Sequence, residues 1–153
     1  MANHSIGNLV ILLVLAGCGS MQRWSQDDLR FASVAHDEAT RYAIMVDGCD
    51  GPEIVKSQDA IVRMEAIVLR NQEPRPINDY AIPPVTEHEA REIFETTYPW
   101  MFDSKFMLAD RLRSEGCEVK ARVIYQQIAD TYPGAAFAKY RDRAASALSG
   151  TPN

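Results

Sequence analysis

The sequence predicts an all-α protein, a helical bundle of about six helices joined as antiparallel hairpins. Three observations lead there. Apolar residues recur at three and four positions, as one buried helix face requires. Serine or threonine followed three residues on by an acid opens two of these runs, the signature of a helix N-terminus. Glycine and proline end the runs, and most of the loops between them are short, so consecutive helices pack antiparallel. Nearly half of the 153 residues are apolar, which argues against wholesale disorder.

The first helix is expected from Ser25, paired with Asp28 as a capping box. It carries Leu29, Ala32, Ala39, Tyr42, Ala43 and Val46 on one face and ends at Gly48. Ser57 is read as the cap of the second. There Ala60, Ile61, Met64, Ile67 and Val68 favour a helix to about Asn71, although the β-branched Ile61, Val62, Ile67 and Val68 leave a strand open. The stretch 72–85 holds four prolines and cannot continue a helix, because each proline removes a donor and restricts the residue before it. It is a linker or wrapping loop, and such preordered stretches can themselves be recognition segments. Thr86 with Glu89 opens a third helix, with Ala90, Ile93 and Phe94 inward, and Tyr98-Pro99 is expected to stop it. Three more are placed at about Ser104 to Glu115, Glu118 to Asp130 and Ala135 to Leu148.

The N-terminus has a different character. Leu9 to Ala16 is unbroken and apolar, far short of the roughly 20 residues that span a bilayer, and it stops at Leu15-Ala16-Gly17-Cys18. This run resembles the lipobox of bacterial lipoprotein precursors, although residues 1–8 lack the usual Lys or Arg. The resemblance implies cleavage before Cys18, with 1–17 as signal peptide, and acylation of that cysteine. It also implies a short tether over 18–24, reaching about 20 Å at most. Gly19 in place of Asp after the cysteine implies, under enteric-type sorting, the outer membrane with the chain facing the periplasm. Two or three acyl chains give stable anchoring where one does not.

About 136 residues then remain, one domain's worth. Their net charge of −5 and scattered basic residues indicate neither nucleic acid nor an anionic membrane face as a partner. Two cysteines besides Cys18 remain, and an exported even pair is usually oxidised. Cys49 and Cys117 have matching settings, Asp47-Gly48-Cys49-Asp50 and Glu115-Gly116-Cys117-Glu118, with each glycine placed as a left-handed helix cap. A disulfide between two loops at one end of the bundle is expected, the alternative being two free, half-buried thiols.

Thr97-Tyr98-Pro99 recurs as Thr131-Tyr132-Pro133, 34 residues on. Between the copies stand Leu108 and Ala109, then Leu112, then Ala121 and Tyr125 at an Ala-x3-Phe spacing, closed by Pro133. This pattern resembles a tetratricopeptide repeat, with Lys105 where that family often has Trp. The resemblance implies one full unit at 102–135, the second helix of an earlier unit at 86–101, and a capping helix from Ala135, so that 86–149 is a repeat-like region following the helices of 25–71. It further implies that Asp103, Phe106, Asp110 and Arg113 face a ligand, the alternative being a solvated helix face with Phe106 in the core. The phrase Ala121 to Pro133 also resembles repeats in periplasmic lipoproteins of outer-membrane β-barrel assembly and envelope coordination.

Motifs for chemistry are missing. There is no Gly-x-Ser-x-Gly elbow, phosphate-binding glycine loop, His-Glu-x-x-His helix or zinc-spaced cysteine set. His88 sits in the capping turn of Thr86 and Glu89, and carboxylate pairs such as Asp27-Asp28 suit a helix N-terminus. The expectation is a non-enzymatic envelope lipoprotein, without cofactor, metal or small-molecule substrate, that docks an envelope protein or peptide as an interaction module or an assembly or secretion accessory. The alternatives are a self-associating structural lipoprotein and a secretin pilot lipoprotein.

Overall fold

The computed structural model describes residues 27–72 and 86–150. The lipobox, the tether, Ser25 and most of the proline-rich stretch lie outside the described residues. Among the described residues the chain is all-α, with no strand: α1 over 27–44, α2 Pro52–Gln72, α3 Glu87–Ser114, α4 Glu118–Thr131 and α5 Ala138–Ser149, the last preceded by a single 3₁₀ turn, Ala135–Phe137.

Each helix packs antiparallel on the next. In the first hairpin Arg63 of α2 pairs with Glu38 of α1, and Arg70 with Asp28. Alanines at 32, 35, 39 and 43 leave α1 without bulk on its inner face. The backbones approach closely enough there for buried Ser57 to donate its hydroxyl to the Ala39 carbonyl at 2.9 Å. Ser57 is therefore a bundle contact and not the expected cap. Helix α2 begins five residues earlier, with Pro52 at its first position, where a missing N–H costs nothing.

In the second hairpin Arg113 meets Glu118 next to the turn, Asp110 meets Tyr125, and Lys105 meets Tyr132 at the far end of α4. Ala109 and Ala121 are both fully buried between the helices, the close approach that their spacing implied. The α4–α5 loop is closed by Arg141, which donates to the carbonyls of Tyr132 and Gly134 at 2.6 and 2.7 Å.

The two hairpin turns share a left-handed glycine before a cysteine but differ in length: α1 ends at 44, so Gly48 sits within a seven-residue turn and is not the expected cap of the first helix, whereas Gly116 lies in the three-residue turn directly after α3. Gly48 and Gly116 adopt φ of 75° and 79°, a left-handed conformation that L side chains rarely take. After α3 the turn is a Schellman motif: the Cys117 amide donates to Leu112 and the Gly116 amide to Arg113. The glycines stand at the same offset as the cysteines after them, and Cys49 and Cys117, 68 residues apart, are joined in a disulfide. The junction is reinforced by Arg111, which donates twice to the Val46 carbonyl, and by the Gly48 amide, which donates to Glu115. Lys120 adds bonds to the Cys49 carbonyl and to Asp50.

Helix α3 corrects the expected count. Its start carries the predicted capping box, with the Thr86 hydroxyl accepting from the Glu89 amide and the Glu89 carboxylate accepting from the Thr86 amide. It then runs through Tyr98-Pro99 without a break, so the helices expected before Pro99 and after Ser104 are one, and the described residues form five α-helices. Residues 86–101 are accordingly not a separate second helix of an earlier repeat, and α2 is the helix that precedes α3 in the stack. Burial is the physical reason. Ile93, Thr97, Met101, Phe102, Leu108, Ala109 and Leu112 keep one continuous buried face across the proline, which outweighs a local cost of about 3 kcal/mol. The second copy of Thr-Tyr-Pro does end a helix, with Tyr132 as the C-cap of α4.

Pro99→Ala restores a donor for the Glu95 carbonyl at a position whose backbone is already helical. We expect it to raise stability by about 2 kcal/mol, read as a higher urea midpoint at unchanged m-value. A fall in midpoint would show that the ring's own packing matters more than the missing bond.

Candidate functional site

The four α3 residues expected to face a ligand do not line an open groove. Phe106 is 1 % exposed, in the core, with the Arg143 guanidinium 3.9 Å above its ring. Asp110 accepts from the Tyr125 hydroxyl and pairs with Arg143 at 3.2 Å. Arg113 donates to the Ala147 carbonyl at 2.9 Å and lies over Tyr125. Asp103 and Asp110 remain exposed. Arg143 and the Ala147 carbonyl of α5 thus lie against part of this face.

The opening lies on the other side of α3. A cleft of about 510 Å³ runs between α2 and α4, lined by Gln58, Asp59, Ile61, Val62 and Glu65 on one wall and Ile124, Gln127 and Thr131 on the other. Lys105 and Leu108 of α3 and Tyr132 form its floor. Of the exposed large apolar side chains, Val62 lines this cleft. Val55, Val62 and Leu69 fall seven residues apart on α2, hence on one face, and Val123 and Val119 fall on successive turns of α4, one turn before Gln127. Each is more than half exposed. They are five of the nine large apolar side chains that the described residues expose; single exposed apolar residues are ordinary, and the line on α2 passes through the cleft at Val62.

The floor holds a polar relay. The Lys105 ammonium, 6 % exposed, donates to the Tyr132 hydroxyl at 2.6 Å and to Glu65 Oε1 at 3.3 Å, and Tyr132 donates to the same carboxylate oxygen. Burial lowers the Lys105 pKa against the opposing pull of Glu65. Burial, helped by the bond to Glu65, raises the Tyr132 phenol far above its ordinary value. These groups satisfy one another. Glu65→Leu leaves the buried ammonium with only a phenol, and we expect a loss of roughly 3 kcal/mol. The double variant Glu65→Leu/Lys105→Met should recover most of it in denaturant titration; failure to recover would show that the carboxylate acts alone.

Burial also raises the phenols of Tyr125, where Asp110 contributes, and of Tyr140. Unfolded tyrosines ionise near pH 10 while Tyr125 and Tyr132 stay protonated, so the unfolded state loses protons first and stability falls as pH rises beyond that point. The expected slope is up to about 1.4 kcal/mol per pH unit for each of these two phenols. Phenolate absorbance should therefore appear for these two only together with loss of helical dichroism, and ionisation before unfolding would refute the buried environment.

The remaining sequence candidates lie elsewhere. Cys49 and Cys117 form the disulfide at the end of the bundle that carries the hairpin turns. His36 stacks on Trp100 and shares a 2.9 Å hydrogen bond with Ser104, and His88 is exposed in the first turn of α3. Cys18 lies outside the described residues. Among the described residues no group of three or more His, Cys, Asp or Glu could hold a metal ion, and no helix is long and apolar enough to cross a membrane. The cleft was missed because its walls come from helices far apart in sequence. One signal was present: α2 carries a second apolar line at 55, 62 and 69 beyond the five-residue stripe read as its core face. No family model, curated protein or solved structure matches the chain.

Proposed function

We propose that this chain is a lipoprotein of the bacterial envelope that docks a partner protein and performs no chemistry of its own. The observation that carries the docking role is the cleft between α2 and α4, where exposed Val62 stands with Ile61, Leu108 and Ile124 in the lining. The polar groups at its floor are spent on one another, as suits a packing surface better than a reaction centre. Anchoring rests on Leu15-Ala16-Gly17-Cys18, with Cys18 as the lipidated residue and the outer membrane, facing the periplasm, as the address. The hairpin of α3 and α4, with buried Ala109, Ala121 and Tyr125, supports the likeness to tetratricopeptide units, which are stacked to build binding surfaces.

Cross-linking in intact cells followed by mass spectrometry tests this reading, comparing the native chain with Cys18→Ala and Val62→Lys. One dominant envelope partner, lost in Val62→Lys and depleted in Cys18→Ala, is the expected result. Cross-links only between copies of this chain would overturn it in favour of a self-associating structural lipoprotein.

A further inference from the structure

Resting on the reading of Cys18 as the lipidated residue, we infer that the outer face of the α1–α2 hairpin lies on the bilayer that holds the anchor, with the axis of α1 along the membrane plane. Four of the nine large apolar side chains exposed among the described residues belong to α1 and the residue that follows it: Phe31, Val34, Ile44 and Met45. The Met45 amide still bonds to the Arg41 carbonyl, so the helical register reaches it. Phe31 and Met45 are then nearly four turns apart, on one face, with about 21 Å between them. Both ends touch a flat surface only if α1 lies along it. Between them the Tyr42 ring lies under two cations, Arg41 at 5.0 Å and Lys56 of α2 at 5.2 Å, and Arg30 lies over the Phe31 ring at 5.5 Å. Rings and aliphatic side chains beside long cationic ones that keep their heads in water are the composition that settles at a lipid headgroup boundary.

The tether selects the bilayer as the occupant. Nine residues lead from Cys18 to the start of α1 at position 27, about 30 Å at full extension, so the hairpin is held beside the surface at an effective concentration of order millimolar. A small apolar patch suffices at that concentration, whereas a protein partner arriving from solution must supply the whole of its affinity. Charge permits the contact. Arg63 and Arg70 on this edge of α2 are paired with Glu38 and Asp28 of α1, and Arg30, Arg41 and Lys56 are matched in number by Asp27, Asp37 and Asp59 on the same two helices. The net charge of −5 therefore lies elsewhere on the chain, and this face meets lipid with neither repulsion nor steering. The cleft stays free, because α2 turns Arg63 towards α1 and Glu65 towards the cleft.

Two measurements test the inference. In the first, a photoreactive phenylalanine analogue replaces Phe31, or Gln126 on the exposed side of α4, and intact cells are irradiated while mass spectrometry of the mature N-terminal peptide reads acylation of Cys18. With Cys18 acylated, phospholipid adducts should be about five-fold or more commoner at 31 than at 126. Equal or absent lipid adducts at 31, or capture there of another protein or of a second copy, overturn the inference and leave the lipoprotein reading standing; an unacylated Cys18 overturns both. In the second, the lipidated chain with cyanophenylalanine at 31 is placed in phosphatidylcholine vesicles carrying brominated lipid. Quenching is expected, falling about three-fold or more in Val34→Asp/Met45→Asp, whose exposed positions leave helical dichroism unchanged. It should hold from about 50 to 500 mM salt, and release by salt, or quenching indifferent to the double variant, overturns the apolar contact.

Discussion

Replacing Cys49 and Cys117 by alanine, or reducing the bond between them, lowers the free energy of unfolding by about 4 kcal/mol. The bond closes a loop of 68 residues, and in the chain-entropy model freeing such a loop gives the unfolded ensemble about that much. Single domains have only about 5 to 15 kcal/mol in hand, so the variant should melt roughly 10 to 20 °C lower. The native contacts at the junction limit any further loss. Arg111 on the Val46 carbonyl and Lys120 on Asp50 remain after reduction and keep the two turns together in the folded state. The chief effect therefore lies in the unfolded chain, and the m-value in urea should rise as that chain expands. An effect below about 1 kcal/mol would mean that the unfolded chain keeps the two turns close without the bond.

Phe102→Ala should cost about 4 kcal/mol, the upper range for deleting a buried aromatic. Phe102 is wholly buried midway along α3, stacked on Tyr140 at 4.2 Å, with the ring of Tyr132 edge-on at 4.9 Å and Phe137 tilted against it at 5.5 Å. Those partners come from the end of α4, the 3₁₀ turn and α5, so one ring holds three segments on α3. Truncation leaves a cavity and also removes ring contacts worth about 1 kcal/mol beyond area alone. Near-ultraviolet dichroism and the denaturant midpoint should both fall. Phe31→Ala on the exposed face of α1 is the control, with a change under about 0.5 kcal/mol. Similar losses for the two would show that the ring cluster does not hold α5.

Local chemistry was legible in the sequence wherever the responsible atoms lie close along the chain. The Thr86–Glu89 box, the left-handed glycines at 48 and 116, and the small residues at 109 and 121 each act through neighbours or through the next helix. The cysteine pair was legible because its two settings match. Pro99 misled because a strong local rule met a stronger packing demand from Met101 and Phe102 on the same helix. Ser57 misled for a related reason: a hydroxyl that suits a cap also suits a tight crossing between helices. Lys105 stands where the repeat pattern has an aromatic residue, and nothing near it in sequence announces Glu65 or Tyr132 as partners. The reassignment of Phe106, Asp110 and Arg113 depends on where α5 comes to rest, and sequence spacing carries no information about that.

The unbroken course of α3 has a mechanical consequence. At about 42 Å it is a single beam on which α2 packs from one side and α4 from the other, and the sulfur bridge rivets the two hairpin turns together at one end. The jaws formed by α2 and α4 consequently keep a set gauge. Under the proposed docking function, a guest must match that gauge on arrival, little is spent on shaping the host, and differences between rival guests should show up in how fast they leave.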